Sequence, residues 1–187
     1  MRQFLLFVFV LLIPCFGLWT VANAPIGLPA IGIAGSLLSN WFPDVVNALS
    51  ASGPEAILMT EFGEKAGQLI PLSQADYRLG FQINTRVLSY SLPFYTALHF
   101  ATQRKTYLAD YLWGLLILYV LFICGLVCLC LKTLMVNVSA PFFNQAGVFV
   151  PNAEVIAISY QFSVLIVPTL APAILWLSQS KDSPLLQ

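Results

Sequence analysis

The stretch LWGLLILYVLFICGLVCLCL, residues 112–131, decides the class of this fold. It carries no charge, and as an α-helix it rises about 30 Å, the thickness of the hydrocarbon core of a bilayer. The whole chain of 187 residues is 59% hydrophobic and 9% charged, whereas about 25% of the residues in soluble domains are charged. We therefore predict an integral membrane protein built from α-helices.

Further apolar segments flank this stretch, so the sequence predicts four transmembrane helices. The four predicted spans cover residues 4–21, 85–101, 107–131 and 155–176. The second span is the least hydrophobic, because it contains Arg86, Pro93 and His99. The chain thus divides into a transmembrane anchor at residues 1–23, an insert at 24–84, and a three-helix region at 85–187 with a short outer loop at 137–154.

Basic residues in the short connections predict the orientation in the membrane. They are Arg2, Arg104, Lys105 and Lys181. By the positive-inside rule these segments stay in the cytoplasm, which places both termini there. Residues 24–84 and 137–154 then face the outside, which is the periplasm if the host is a Gram-negative bacterium, and in such a host the protein is predicted to lie in the inner membrane.

The first span has a second interpretation, which is a secretory signal peptide. Ala22-Asn23-Ala24 has the small-residue pattern of a signal-peptidase site and follows a short basic start. Pro25 would stand directly after the cut, and cleavage enzymes process proline poorly at that position. We therefore expect an uncleaved anchor.

The insert begins with the pattern of an amphipathic helix over residues 28–50. Six apolar or small residues recur at steps of three and four and share one helical face: Ile31, Gly35, Leu38, Phe42, Val45 and Leu49. Pro43 is expected to bend or restart this helix, because it disfavours helical geometry at Phe42. The helix can lie along the bilayer surface or pack against the rest of the insert, and the two placements are compatible.

Beyond Gly53 the apolar period changes to two, which predicts a short β-meander. The predicted strands are residues 56–60, 68–72 and 77–84, with a turn at 63–67. Three short strands bury little surface by themselves, so they need a cover, and the preceding helix is the candidate. We expect a small αβ extracytoplasmic insert between the first and second transmembrane helices.

The predicted topology brings two groups of polar residues to the same outer face of the membrane. They are Asn84, Arg86 and Tyr90 in the second span and Glu154, Tyr160 and Gln161 in the fourth. Ionisable groups near hydrocarbon are costly and usually paired, so an ion pair between Arg86 and Glu154 is the expected structural role. The functional alternatives are a polar groove for a partner's helix or peptide, and an active site using Glu154 with Arg86 or Tyr160.

Histidine and cysteine often act as catalytic or metal-binding residues in proteins, but in this chain we expect them to have packing roles. His99 is the one histidine of the chain, and we expect it to be a hydrogen-bonded packing residue. Cys124 and Cys128 share a helical face while Cys130 points away, so no metal site is predicted. Eight basic and eight acidic residues create no strong field for nucleic acid. We predict that the protein binds no cofactor. We expect its partners to be membrane lipid and other membrane proteins.

Three stretches resemble the exosortase H-associated membrane proteins. They are residues 84–102 (NTRVLSYSLPFYTALHFAT), 154–162 (EVIAISYQF) and 167–172 (VPTLAP). The resemblance implies an accessory of an exosortase, a membrane transpeptidase-like enzyme that processes proteins bearing a C-terminal sorting helix. Members of this family have no assigned catalytic residues, so none is carried over. The exosortase itself resembles a Cys-Arg-His enzyme, and this chain is predicted to have no such set at one membrane face.

The leading hypothesis is a non-enzymatic accessory or scaffold in protein sorting, which holds an exosortase or its substrates. Small residues at Ala97, Gly114 and Gly125 would then allow close approach of a partner helix. One alternative is a structural subunit of another multi-protein membrane machine, such as a secretion or pilus apparatus. The other is the small membrane enzyme that uses Glu154.

Overall fold

The computed structural model describes residues 2–65, 67–102 and 107–180. The helices are α1 (Arg2–Trp41), α2 (Arg86–Ser89), α3 (Ser91–Ala101), α4 (Tyr107–Asn137), α5 (Ala140–Phe143), α6 (Ala153–Gln161) and α7 (Val167–Gln179). The strands are β1 (Val46–Ser52), β2 (Glu55–Thr60), β3 (Phe62–Lys65), β4 (Gln68–Pro71) and β5 (Gly80–Ile83). A single 3₁₀ turn, Leu72–Gln74, follows β4, and a π-helical turn, Phe162–Ile166, joins α6 to α7.

Within the described residues, three helical stretches are long and apolar enough to cross a membrane. They are Phe4–Trp41, Leu108–Asn137 and Ala153–Gln179, and they correspond to three of the four predicted spans. The remaining predicted span, residues 85–101, folds as α2 and α3, and the 11 residues of α3 rise only about 16 Å. Pro93 explains the break, because it has no N–H to donate to the carbonyl of Ser89 one turn earlier.

Helix α1 is continuous over 40 residues, so the prediction of a separate helix over 28–50 is wrong, because the helix continues from the predicted anchor without a break. Pro25 and Pro29 stay inside the helix because the φ of proline is helical, and neighbouring helices can satisfy the carbonyls that lose a donor. The hydroxyl of Tyr119 donates to the carbonyl of Ile26 at 3.0 Å and supports this stretch from α4. The helix ends at Trp41, close to Pro43, and the chain then enters β1.

The strands form two small antiparallel sheets. One has the order β1-β2-β5, and the other is the β3–β4 hairpin. The predicted strands 56–60 and 68–72 agree with β2 and β4, whereas the strand predicted over 77–84 is confined to Gly80–Ile83. The turn predicted at 63–67 is wrong for residues 63–65, which belong to β3 and pair with residues 68–70 of β4. Strand β1 was missed because its buried residues Val46 and Leu49 are three apart, a spacing that also fits a helix.

The main core lies between the three-stranded sheet and the second halves of α1 and α4. All six residues of the stripe predicted between 31 and 49 are buried, although they belong to α1, β1 and the connection between them. Gly35 packs on β1, where a Cβ would come within 3.1 Å of the Cβ of Leu49. Helix α1 therefore covers the strands of the insert, which is one of the two predicted placements.

The helix bundle has two ends, which we call the sheet end and the distal end. The sheet end contains the strands and Trp41, whose indole donates to the carbonyl of Phe149 at 3.0 Å. The distal end contains Phe4 of α1 and Trp176 of α7, whose rings stack 5.2 Å apart. The basic residues Arg104, Lys105 and Lys181, on which the predicted orientation depends, lie outside the described residues.

Candidate interaction surfaces

The predicted polar cluster at the sheet end is divided between two places. Asn84 and Arg86 are exposed where β5 passes into α2, and the side-chain oxygen of Asn84 accepts from the backbone N–H of Arg86 at 3.0 Å. This bond satisfies one of the free donors at the start of α2. Nearby, the hydroxyl of Thr85 donates to the carbonyl of Pro54 at 2.7 Å and ties the junction to the β1–β2 turn.

The expected ion pair between Arg86 and Glu154 does not form. Both side chains are exposed, and the one ion pair among the described residues joins Arg78 to Glu61 at 3.6 Å. Glu154 lies in the first turn of α6, where the helix dipole favours a negative charge without a basic partner. Neither side chain is buried within the protein, so packing against the rest of the chain imposes no desolvation cost on these two charges.

Tyr160, Gln161 and Tyr90 have separate surroundings. Tyr160 packs against Lys132 of α4, with the ammonium nitrogen 5.4 Å from the ring centroid, the geometry of a cation–π contact. Gln161 is exposed at the end of α6. Tyr90 lines an apolar groove beside α1 and α7. The six predicted residues therefore do not converge on one site.

A buried polar network between α1 and α2 was missed by the sequence reasoning. The indole of Trp19 donates to the hydroxyl oxygen of Ser89 at 3.3 Å, and that hydroxyl donates to the side-chain oxygen of Asn23 at 2.9 Å. Asn23 is 2% exposed, and its amide nitrogen has no hydrogen-bond partner in the described part of the chain. The signal was present in the sequence, since a polar residue within an apolar span usually faces another helix.

A second polar network closes the distal end. The hydroxyl of Tyr95 on α3 lies 2.8 Å from the side-chain oxygen of Gln179 on α7, and the Gln179 amide donates to the carbonyl of Asp110 on α4 at 2.9 Å. The indole of Trp176 donates to the hydroxyl oxygen of Thr102 at 2.7 Å. Tyr95 and Thr102 are both fully buried. These bonds join three helices where the lipid offers no hydrogen bonds.

His99 belongs to this distal network and is fully buried, as expected of a packing residue. Its Nδ1 lies 3.4 Å from the Tyr95 hydroxyl, and its ring contacts that of Tyr111 with centroids 5.2 Å apart. The four cysteines are free, and no cluster of three or more metal-ligating side chains occurs in the described ranges.

The small residues that were expected to receive a partner helix are used within the chain itself. A Cβ at Gly114 would overlap the ring and hydroxyl of Tyr95. At Gly125 a Cβ would come within 2.9 Å of Leu88. Ala97 is fully buried. These positions allow α4 to approach α2 and α3, so a docking surface for a partner must lie elsewhere.

Three apolar grooves open on the outer surface of the bundle. The α1–α3–α4 groove, between residues 15–26, 92–96 and 111–119, has a volume of about 540 Å³. The α1–α4–α6 groove near Trp41 has about 370 Å³. The α1–α3–α7 groove, which contains Tyr90, has about 560 Å³. All three are bordered by α1, and their apolar walls suit hydrocarbon or the side of another membrane helix.

These features define a class of protein: a membrane protein of several apolar helices with a small sheet insert. The polar side chains between its helices mostly bond other parts of the same chain, and the grooves on the outside of its helix bundle have apolar walls. Residues 1–183 match the family described as exosortase H-associated membrane protein. The chain belongs to this family, as its sequence motifs predict. Comparison with curated proteins and with solved structures gave no match.

Proposed function

We propose that the protein is a non-catalytic accessory subunit that holds an exosortase-type sorting enzyme, or its substrates, in the bacterial inner membrane. The observation that carries the proposal is the family match over residues 1–183, whose description states association with exosortase H. The geometry supports a binding role, because the surface offers apolar helix faces. The alternative of an enzyme needs an acid and a base in reach of one substrate, and its candidate residues Arg86 and Glu154 form no ion pair in the described part of the chain.

Helix α1 supplies the surface for the proposed partner. Only 6% of its most apolar 18-residue window is buried, against 39% for α4 and 17% for α6–α7. Its outward residues follow helical spacing and form what we call the α1 outer stripe: Leu6, Phe9, Ile13, Gly17 and Val21. Gly17 allows a neighbouring backbone to approach closely, which favours packing between helices in lipid.

Capture of partners from the native host tests this proposal. The tagged protein, extracted in mild detergent, is expected to retain an exosortase or proteins with a C-terminal sorting helix, identified by mass spectrometry. Substituting Gly17→Leu should reduce that capture about tenfold, the equivalent of about 1.4 kcal/mol of lost contact. A Cβ at Gly17 meets no atom within 4 Å, and the position is exposed, so the rest of the leucine side chain can extend away from the protein.

Gly32→Leu is the matched control, since it makes the same change in the same helix at a position that is equally open. Capture by this variant should equal that of the wild type. Equal capture by all three proteins would show that the α1 outer stripe is not the docking surface. Recovery of a secretion or pilus assembly instead would replace the sorting role with that of a subunit of that machine. Recovery of the chain alone under several mild conditions would contradict any accessory role.

A further inference from the structure

The α1–α3–α4 groove contains four side chains with nitrogen or oxygen atoms, and their hydrogen-bond donors are already used within the protein. Its fifth polar group, the thiol of Cys15, is only a weak donor. On the α1 and α4 walls, the indole of Trp19 donates to Ser89 at 3.3 Å, and the hydroxyl of Tyr119 donates to the carbonyl of Ile26 at 3.0 Å. A ligand in the groove therefore meets the apolar faces of these rings, not their polar atoms.

The two remaining polar side chains form a closed pair. The hydroxyl of Thr96 donates to the carbonyl of Leu92 at 2.7 Å. The hydroxyl of Tyr111 lies 3.1 Å from the Thr96 oxygen. Because the Thr96 hydrogen is already used, Tyr111 is the donor of the bond between the two hydroxyls. A peptide backbone or a lipid headgroup needs hydrogen-bond donors in a site without water, and these four side chains offer none. The chemistry of the groove thus selects hydrocarbon.

The dimensions of the groove decide between a helix and a single chain as the occupant. Along α1 it extends from Cys15 to Ile26, about 16 Å at 1.5 Å per residue. A volume of about 540 Å³ over this length leaves a groove narrower than an α-helix with its side chains, which is about 10–12 Å across. A helix could lie over this groove but not inside it.

We propose that the α1–α3–α4 groove binds one hydrocarbon chain, supplied by a phospholipid of the surrounding bilayer. An empty groove would leave its walls without dispersion contacts on one side, and a flexible acyl chain can restore them along the whole length. Three walls contact the bound chain, so it should exchange more slowly than lipid on the open faces. This site does not depend on the proposed accessory function, because it can be measured on the isolated protein.

Trp19 allows a direct test because it lines the groove. A protein with Trp41, Trp113 and Trp176 changed to Phe keeps Trp19 as its one tryptophan, which can be excited selectively at the long-wavelength edge of its absorption, where tyrosine absorbs far less. In bilayers of phospholipid brominated in the middle of the acyl chain, its fluorescence should be quenched. Ala22→Phe, which fills the groove, should reduce this quenching at least twofold. Ala173→Phe makes the same change in the α1–α3–α7 groove and should leave the quenching of Trp19 unchanged.

Native mass spectrometry of the isolated protein gives the second measurement. The wild type and Ala173→Phe should retain one phospholipid per chain, and Ala22→Phe should retain none. If Ala22→Phe does not fold, Leu116→Phe on the α4 wall makes the same comparison. Equal quenching and equal lipid retention in the filled and unfilled proteins would overturn the proposal. Retention of a polypeptide that the filled variants release would overturn it as well, in favour of a partner helix.

Discussion

At Gly114 helices α3 and α4 lie so close that no side chain fits between them. A Cβ at this position would overlap the ring of Tyr95, which is fully buried and bonded to the distal network. The sequence singled out Gly114 as a place of close approach, but it did not reveal which helix approaches. The identity of the neighbour depends on how two segments of the chain pack, and a spacing pattern within one segment does not contain that information.

Substituting Gly114→Ala should therefore destabilise the protein. We expect a loss of about 1–3 kcal/mol, because Tyr95 must leave a position in which its ring and hydroxyl are both held. The measurement is unfolding in mixed micelles. Gly17→Ala is the control, since a Cβ at Gly17 meets nothing within 4 Å, and it should be neutral or slightly stabilising. Equal stability of the two variants would contradict the close contact.

The surroundings of single polar residues, like those of Gly114, were predicted only in part. The burial of His99 was correctly predicted, because a lone imidazole in an apolar helix faces other helices more often than lipid. The pairing of Arg86 with Glu154 was not, since both side chains are exposed on the protein and no ion pair joins them in the described part of the chain. Charge type and helical spacing predict which residues need a polar partner. They do not predict whether that partner belongs to the same chain.

Among the elements, the hairpin of β1 and β2 has a turn whose type follows from the two residues at its centre. Ser52 pairs with Glu55, so Gly53 and Pro54 form a two-residue turn. Gly53 has a φ of +59°, and Pro54 must have a negative φ, which is the pattern of a type II′ turn. This turn type matches the twist of antiparallel strands.

Substituting Gly53→Ala should weaken this hairpin. A Cβ meets no atom there, so the cost comes from the left-handed backbone alone and should be about 1–2 kcal/mol. The midpoint of unfolding in mixed micelles measures the loss. Ser52→Ala, at the exposed neighbouring position, should change the midpoint little. A Gly53→Ala protein as stable as the wild type would show that this turn can adopt another conformation at no cost.

The boundaries of the longer elements were harder to predict than their existence. The apolar stripe between residues 31 and 49 correctly predicted burial but not that α1 ends at Trp41 and a strand follows. Steps of three and four residues occur on a helix, and a short strand next to a helix can continue them by coincidence. Only the contact of β1 with β2, which pairs residues 46–52 with 55–60, settles the choice, and that contact is not visible within the segment.

For the whole molecule, the sheet end and the distal end are separated by the length of the helices. Helix α1 rises about 60 Å over its 40 residues, twice the thickness of the hydrocarbon core. Its first half can therefore cross the bilayer while its second half stands outside and covers the sheet. With the positive-inside rule, this arrangement predicts that the sheet lies in the periplasm and that both termini lie in the cytoplasm.

Labelling of single cysteines tests this orientation. In a protein whose four natural cysteines are changed to alanine, Ser73→Cys in the exposed turn after β4 should react with a membrane-impermeant maleimide in spheroplasts. Ser183→Cys, beyond the end of α7, should react only after lysis. The reverse result would invert the orientation, and reaction of both cysteines before lysis would contradict placement on opposite sides.

The position of the core also constrains the order in which the chain can fold during synthesis. Strands β1, β2 and β5 leave the ribosome together with the half of α1 that lies on them, so they can pair early. The other cover, residues 122–134 of α4, is made at least 39 residues after the last strand ends. Until then one side of the insert's core has no neighbour from its own chain. A nascent protein of this design thus passes through a stage in which an apolar surface faces outward beside the membrane, where insertion factors and chaperones would meet it.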